Sequence, residues 1–77
     1  MERIEITVAK GHVVGHLHCE DRFGRRISTP VWRITATDGN EYEWATEQRF
    51  FIDSVIRASV KYRYADRTVI TRGRLVG

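Results

Sequence analysis

Trp32-Arg33-Ile34-Thr35-Ala36-Thr37-Asp38-Gly39-Asn40-Glu41-Tyr42-Glu43-Trp44 is a β-hairpin written in alternation. Trp32, Ile34 and Ala36 alternate with Arg33, Thr35 and Thr37 before the turn, and Tyr42 and Trp44 with Glu41 and Glu43 after it. That is period two, the period of a strand with one buried face. A two-residue Asp38-Gly39 turn would set Ile34 opposite Glu43 and mix the faces. A three-residue loop, Thr37-Asp38-Gly39, sets Trp32 opposite Trp44, Ile34 opposite Tyr42 and Arg33 opposite Glu43. Such loops need a left-handed residue at their last position, and Gly39 stands there.

Upstream, Ile4, Ile6 and Val8 alternate with Glu5 and Thr7. Ala9-Lys10-Gly11 interrupts the pattern and His12 to Cys19 resumes it. One long strand bent at Gly11 or Gly15 fits, as does a pair of short strands, because interior glycine marks a bulge or bend. Glu20 to Ser28 is polar, with Gly24 at its turn. Downstream, Glu47 to Ser54 fits either a short turn of helix or an irregular loop. Val55 to Tyr64 then puts Ile56, Ala58, Val60, Tyr62 and Tyr64 on one face. A turn at Ala65-Asp66 pairs Ile56 with Leu75, Val60 with Thr71, Tyr62 with Val69 and Arg57 with Arg74. No segment holds a 3.6-residue period over ten residues.

With 77 residues, 42% hydrophobic and 30% charged, the sequence reads as one globular domain, 1–77, with a thin core. No apolar run approaches a membrane span, and the N-terminus does not read as a signal peptide. The single cysteine, Cys19, makes no internal disulfide and is expected to be a small buried hydrophobe in a reducing, cytoplasmic compartment. Net charge is +3. Eleven of the thirteen basic residues are Arg, the better residue for bidentate phosphate contacts and for stacking on bases.

Five β-segments in so short a chain must hide their edges, so the expected fold is all-β: a small five-stranded barrel, OB-fold-like, with an SH3-like barrel as the alternative. Phe23-Gly24, Asp38-Gly39-Asn40, Trp44, Val60-Lys61 and Thr68-Val69-Ile70-Thr71-Arg72 follow in an order that resembles small OB-fold modules of phage replication and recombination-associated proteins. The chain departs from that pattern at Asp53-Ser54, where it has Gly, and at Tyr62, where it has His. The resemblance implies nucleic-acid binding, mostly of single strands, without catalysis.

Two groups of residues are candidates for that role. Opposite the apolar side of the second hairpin lie Arg57, Lys61, Arg63, Arg72 and Arg74, with Ser59, Thr68 and Ile70 and no acid among them. Arg57 facing Arg74 is unfavourable in isolation, and a phosphate backbone would neutralise such a strip. A face screened by salt, or paired with Glu2, Glu5 and Glu20 from a neighbouring strand, fits equally. Arg22, Arg25 and Arg26 surround Phe23 in the loop after the first strand. Basic residues around an exposed ring suit single strands, unless Phe23 folds back as a core plug.

Trp32, Tyr42 and Trp44 share a face with Ile34 and Ala36, so they are expected in the core. Glu41 and Glu43 on the opposite face would repel phosphate unless Arg33 and a neighbour pair them off. His12, His16 and His18 with Cys19 lack metal-site spacing, and no nucleophile, base and acid stand together, so neither a metal, a cofactor nor catalysis is expected. The leading expectation is a non-catalytic binder of nucleic acid, single-stranded DNA favoured. The alternative is a protein-interaction module: a homo-oligomer, or an accessory or inhibitory subunit of a phage or plasmid complex.

Overall fold

The computed structural model describes residues 2–76. Its strands are β1 (Arg3–Glu20), β2 (Arg26–Ala36), β3 (Glu41–Ala45), β4 (Val55–Arg63) and β5 (Thr68–Val76). They form one sheet in the order β1-β2-β3-β5-β4 that closes into a ring where β4 pairs with β1. Every pairing is antiparallel except β3 with β5, which is parallel.

The first hairpin has the register that the alternation predicts. Trp32 faces Trp44, Arg33 faces Glu43 and Ile34 faces Tyr42. The Ala36 and Gly39 N–H groups bond to the Asn40 and Ala36 carbonyls, and Gly39 takes φ 88. The alternation on β2 and β3 survives because neither strand is bulged against the other.

The first segment is one strand of 18 residues. Register shifts fall between Val8 and Lys10 and between Val13 and Gly15, so Ala9 and Val14 are extra residues on β1. The two bulges let β1 serve two neighbours. Residues 3–7 pair with β4, and from Val8 onward β1 pairs with β2. Past the second bulge the β1–β2 pair leaves the ring as a ribbon, which lengthens the molecule to 40 Å against 24 and 22 Å across.

The second hairpin agrees with expectation at its ends and differs between them. Ile56↔Leu75, Arg57↔Arg74 and Tyr62↔Val69 hold, but the middle rungs are Ser59↔Thr71 and Val60↔Ile70. An extra residue on β5 at Arg72-Gly73 shifts the ladder, and an extra residue on β4 at Lys61 shifts it back. Strict alternation therefore mislabels the segment. Ile70, expected outside, is 3% exposed in the core. Thr71 turns outward instead. Beyond the Lys61 bulge Tyr62 and Tyr64, expected inside, are 58% and 52% exposed.

The core is Ile6, Val8, Ile34, Ala36, Tyr42, Trp44, Ile56, Ala58 and Ile70, drawn from all five strands. Residues 47–54 form an irregular connection. Phe50 plugs the ring from it, 4.9 Å from Trp32 edge-on and 6.0 Å from Trp44 in a stack. Trp44 in turn lies flat on β5. A Cβ at Gly73 would stand 2.5 Å from Cζ2 and 2.7 Å from Cε2 of the indole. The Arg72-Gly73 bulge is where the chain makes room for that ring. Cys19 is exposed, not buried, because it lies on the projecting ribbon.

Candidate nucleic-acid interface

The outer face of the sheet carries a groove. Its floor is Val31 of β2, Glu43 and Ala45 of β3, and Val69 and Thr71 of β5. Leu17 on the ribbon and Lys61 on the β4 bulge stand at its sides. The ribbon reaches this position because β1 is bent at Ala9 and Val14. Lys61 reaches it because a bulged residue is re-aimed out of the alternation.

Both acids of the first hairpin have partners within this surface, a cation for Glu43 and a neutral hydroxyl for Glu41. Arg67 donates to Glu43 at 3.1 Å, and both side chains are about three-quarters buried, at 26% and 23% exposure. Arg67 also pairs with Asp66 at 2.9 Å and lies 4.5 Å over the Tyr64 ring. Burial works against the charge on Arg67, but Glu43 and Asp66 more than offset it and hold the guanidinium pKa above its usual value. Thr35 Oγ1 donates to Glu41 at 2.7 Å. Arg33 faces Glu43 across the ladder without bonding to it, and its buried Nε finds no partner among the described residues. The pairing partner of Glu43 is therefore Arg67, not Arg33. Arg67 was hidden from the sequence because it arrives through the parallel β3–β5 contact, which leaves no local pattern.

The five cations expected as one strip divide. Arg57 pairs with Glu5 at 3.0 Å, and Arg63 donates to Glu2. The hydrogen bond to Glu2, then its charge, raises the Arg63 pKa. These two are satisfied by β1 and its leading residues, as the alternative reading of the strip supposes. Arg74 faces Arg57 across the ladder, beside Arg3, Ile4 and Glu5 on another side of the ring. Lys61 and Arg72 remain on the two bulges. Among the described residues Lys61, Arg72 and Arg74 make no ion pair. Arg72 is exposed and holds φ 54, a left-handed conformation that costs a residue with a Cβ about 1–2 kcal/mol.

The loop cations lie at the tip of the ribbon. Asp21 builds that tip, its Oδ1 accepting the Phe23 and Arg25 N–H groups at 2.9 Å. Arg25 pairs with Asp21 at 3.3 Å and lies 5.6 Å from the Phe23 ring centre. Phe23 is 73% exposed and so is not a core plug. Arg22 and Arg26 make no ion pair among the described residues. The tip is separate from the groove: Glu20 lies three residues, about 10 Å, beyond Leu17 along β1. The exposed Tyr62 and Tyr64 have ring centres 6.3 Å apart, and the Lys61 ammonium lies 6.0 Å from the Tyr62 ring centre.

His16 and His18 share one face of the ribbon, with ring centres 6.4 Å apart, and Cys19 lies on the other. Among the described residues no helix is long and apolar enough to cross a membrane. Comparison of the chain with protein-family models, with curated proteins and with solved structures gives no match.

Proposed function

We propose that the chain is a non-catalytic nucleic-acid-binding module of the OB-fold type that takes single-stranded DNA with little sequence preference. The strand order, with β1 shared between β2 and β4 and a parallel β3–β5 pair, supports that fold over an SH3-like meander, in which β3 pairs with β4. OB-folds bind oligonucleotides on the face of strands 2 and 3 and between the loops that flank it. Here that face is the groove from Leu17 to Lys61, with the Tyr64–Arg67 turn beside it and the Arg22–Arg26 tip farther out along the ribbon.

Arg72 carries the reading. Strained backbone at an exposed position points to a role other than stability. Glycine would hold the same bulge without strain, yet a cation that makes no ion pair among the described residues stands there. Phosphate contacts by Lys61, Arg72, Arg22 and Arg26, with Tyr62, Tyr64 and Phe23 available for stacking, suit a single strand whose bases are unpaired. Pairing of Glu43 with Arg67 reduces the electrostatic objection, and Glu41 keeps its charge while accepting from the Thr35 hydroxyl. Fluorescence anisotropy of labelled oligo-dT should show binding at low salt that weakens steeply as salt rises. Absence of binding at low salt would end this reading.

One observation favours a protein-interaction module instead. Phe51 and Ile52 are 75% and 70% exposed at a turn that cannot yield. The Ser54 N–H bonds to the Phe51 carbonyl, the Phe51 N–H to Ser54 Oγ, and Asp53, at φ 72, donates to the Val8 carbonyl. Fixed apolar side chains of this kind anchor protein interfaces. If Phe51→Ser with Ile52→Ser abolishes function in vivo while oligonucleotide binding is unchanged, the protein-interaction reading prevails.

A further inference from the structure

Ring closure pairs most of the sheet's edges; β5 beyond Ile70 has no β3 partner, and the longest unpaired edge among the described residues lies on the ribbon. β1 pairs with β4 only as far as Thr7, and Val8 then exchanges two bonds with Asp53 and Ser54. Beyond that, no described residue pairs with the outer edge of β1, while its inner edge pairs with β2 as far as Glu20. From His12 to Glu20 the outer edge presents nine residues, about 30 Å of unpaired N–H and C=O groups.

Exposed edges are normally blunted by charge, proline or a covering segment. The two edges of this ribbon differ sharply in that respect. The β2 edge begins with Arg26, contains Pro30, and gives the Pro30 carbonyl to the Thr46 N–H. The β1 edge, His12-Val13-Val14-Gly15-His16-Leu17-His18-Cys19, has no Lys, Arg, Asp, Glu or Pro, in a chain that is 30% charged. Among the described residues it is the one stretch of this length that joins free backbone groups, β-branched residues and no fixed charge.

We propose that the β1 edge from His12 to Glu20 binds the same edge of a second copy, antiparallel, so that two ribbons form one four-stranded sheet. The groups on offer are backbone donors and acceptors in strand geometry, so the occupant is an extended strand. A second copy suits it because antiparallel pairing of an edge with itself is isologous, and residue i meets j as j meets i. A two-fold axis perpendicular to the sheet at Leu17 keeps like faces together. Leu17, Ile27 and Val31 of each copy then lie on one side, and His16 and His18 on the other. Glu20 faces Val14 of the second copy, so no like fixed charges oppose one another. An edge of about 30 Å buries less than the roughly 1,200 Å² of a standard interface, so the dimer is a weak one.

Sedimentation equilibrium over a concentration series, without nucleic acid, tests this. The expected mass rises from monomer towards twice that value, with a Kd in the micromolar to millimolar range. Lysine is a natural edge blocker. His16→Lys with His18→Lys, both exposed and so compatible with folding, should weaken the dimer at least tenfold. Ser28→Lys, on the same face of the ribbon but on β2, should change it less than threefold. In a Cys19→Ser background, Leu17→Cys should form an intermolecular disulfide under mild oxidation. A mass that stays monomeric to millimolar concentration overturns the proposal. So does a dimer that the paired lysines leave intact, or one that Ser28→Lys weakens equally. Failure of Leu17→Cys to cross-link in a dimer places the contact elsewhere and also overturns it.

Discussion

Gly73→Ala tests the packing that shapes the β5 bulge. The added methyl would lie 2.5 Å from Cζ2 and 2.7 Å from Cε2 of Trp44, where carbon atoms prefer about 3.5–4.0 Å. Relief requires a shift of about 1 Å by the indole or by β5. The indole is 3% exposed and backed by Phe50, and β5 at this point is held by the β4 rungs on either side of the bulge and by Gln48, which donates to the Gly73 carbonyl. Overpacking of this kind costs about 1–3 kcal/mol, and the lack of an escape puts Gly73→Ala near 3 kcal/mol. A 77-residue domain has a total stability of roughly 4–12 kcal/mol, so the loss is a large share of it. Urea denaturation followed by far-UV circular dichroism would measure it as a lower midpoint with an unchanged slope. Gly11→Ala, whose methyl would meet Phe50 Cε2 at 3.3 Å, should cost less, and Gly15→Ala, with nothing within 4 Å, about nothing. Trp44→Leu should suppress most of the Gly73→Ala penalty in a double-mutant cycle. A Gly73→Ala cost below about 0.5 kcal/mol would mean that the indole does not lie on β5.

Trp44→Ala should cost about 3–5 kcal/mol and leave the domain largely unfolded by circular dichroism. A folded Trp44→Ala protein that has lost DNA binding would instead make the ring a stacking platform. Glu5→Gln removes the partner of a half-exposed Arg57, so it should cost under about 1 kcal/mol, and oligo-dT binding in anisotropy should stay nearly unchanged because Arg57 lies on another side of the ring from the groove. Burial, then the charge of Asp38, raises the Tyr42 phenol above its ordinary pKa, partly offset by a hydrogen bond with Asn40 and the charge of Arg63. The neutral phenol is thus favoured in the fold. That contribution is complete below about pH 10, the unfolded phenol's value, and is lost as pH rises through the folded one. Denaturation midpoints measured from neutral to alkaline pH should fall more steeply for the native chain than for Tyr42→Phe.

The all-β class and the first hairpin were legible because their information is local. Trp32 to Trp44 alternates without a bulge, and Gly39 fixes the loop. The bend of β1 was legible from Gly11 and Gly15, although the extra residues are their neighbours Ala9 and Val14. The second hairpin was legible only where its two bulges cancel. Nothing local announces that Arg72 and Lys61 each step out of the ladder, and so the sides of Ile70, Thr71 and Tyr62 were misread. The cause is Trp44, whose indole needs Gly73 beneath it, and that is a contact between strands far apart in sequence. The candidate site was legible as a set of cations but not as an arrangement. Glu2 and Glu5 claim Arg63 and Arg57 through the β1–β4 pairing, and Arg67 claims Glu43 through the parallel pair. What remains, Lys61 at the groove, Arg72 on the β5 bulge, and Arg22 and Arg26 at the ribbon tip, is a smaller surface than the full list of arginines suggests.

The central claim is that Arg72 is strained for the sake of binding. The most direct measurement joins stability and oligo-dT affinity in Arg72→Gly. Glycine accepts φ 54 without cost, so the variant should be as stable as the native chain or more so, by up to about 1 kcal/mol. Its affinity should fall, and the slope of log affinity against log salt should drop by about one unit, the loss of one phosphate contact. Equal stability with unchanged affinity and salt slope would contradict the account, because Arg72 would then be neither needed by the fold nor used by a ligand.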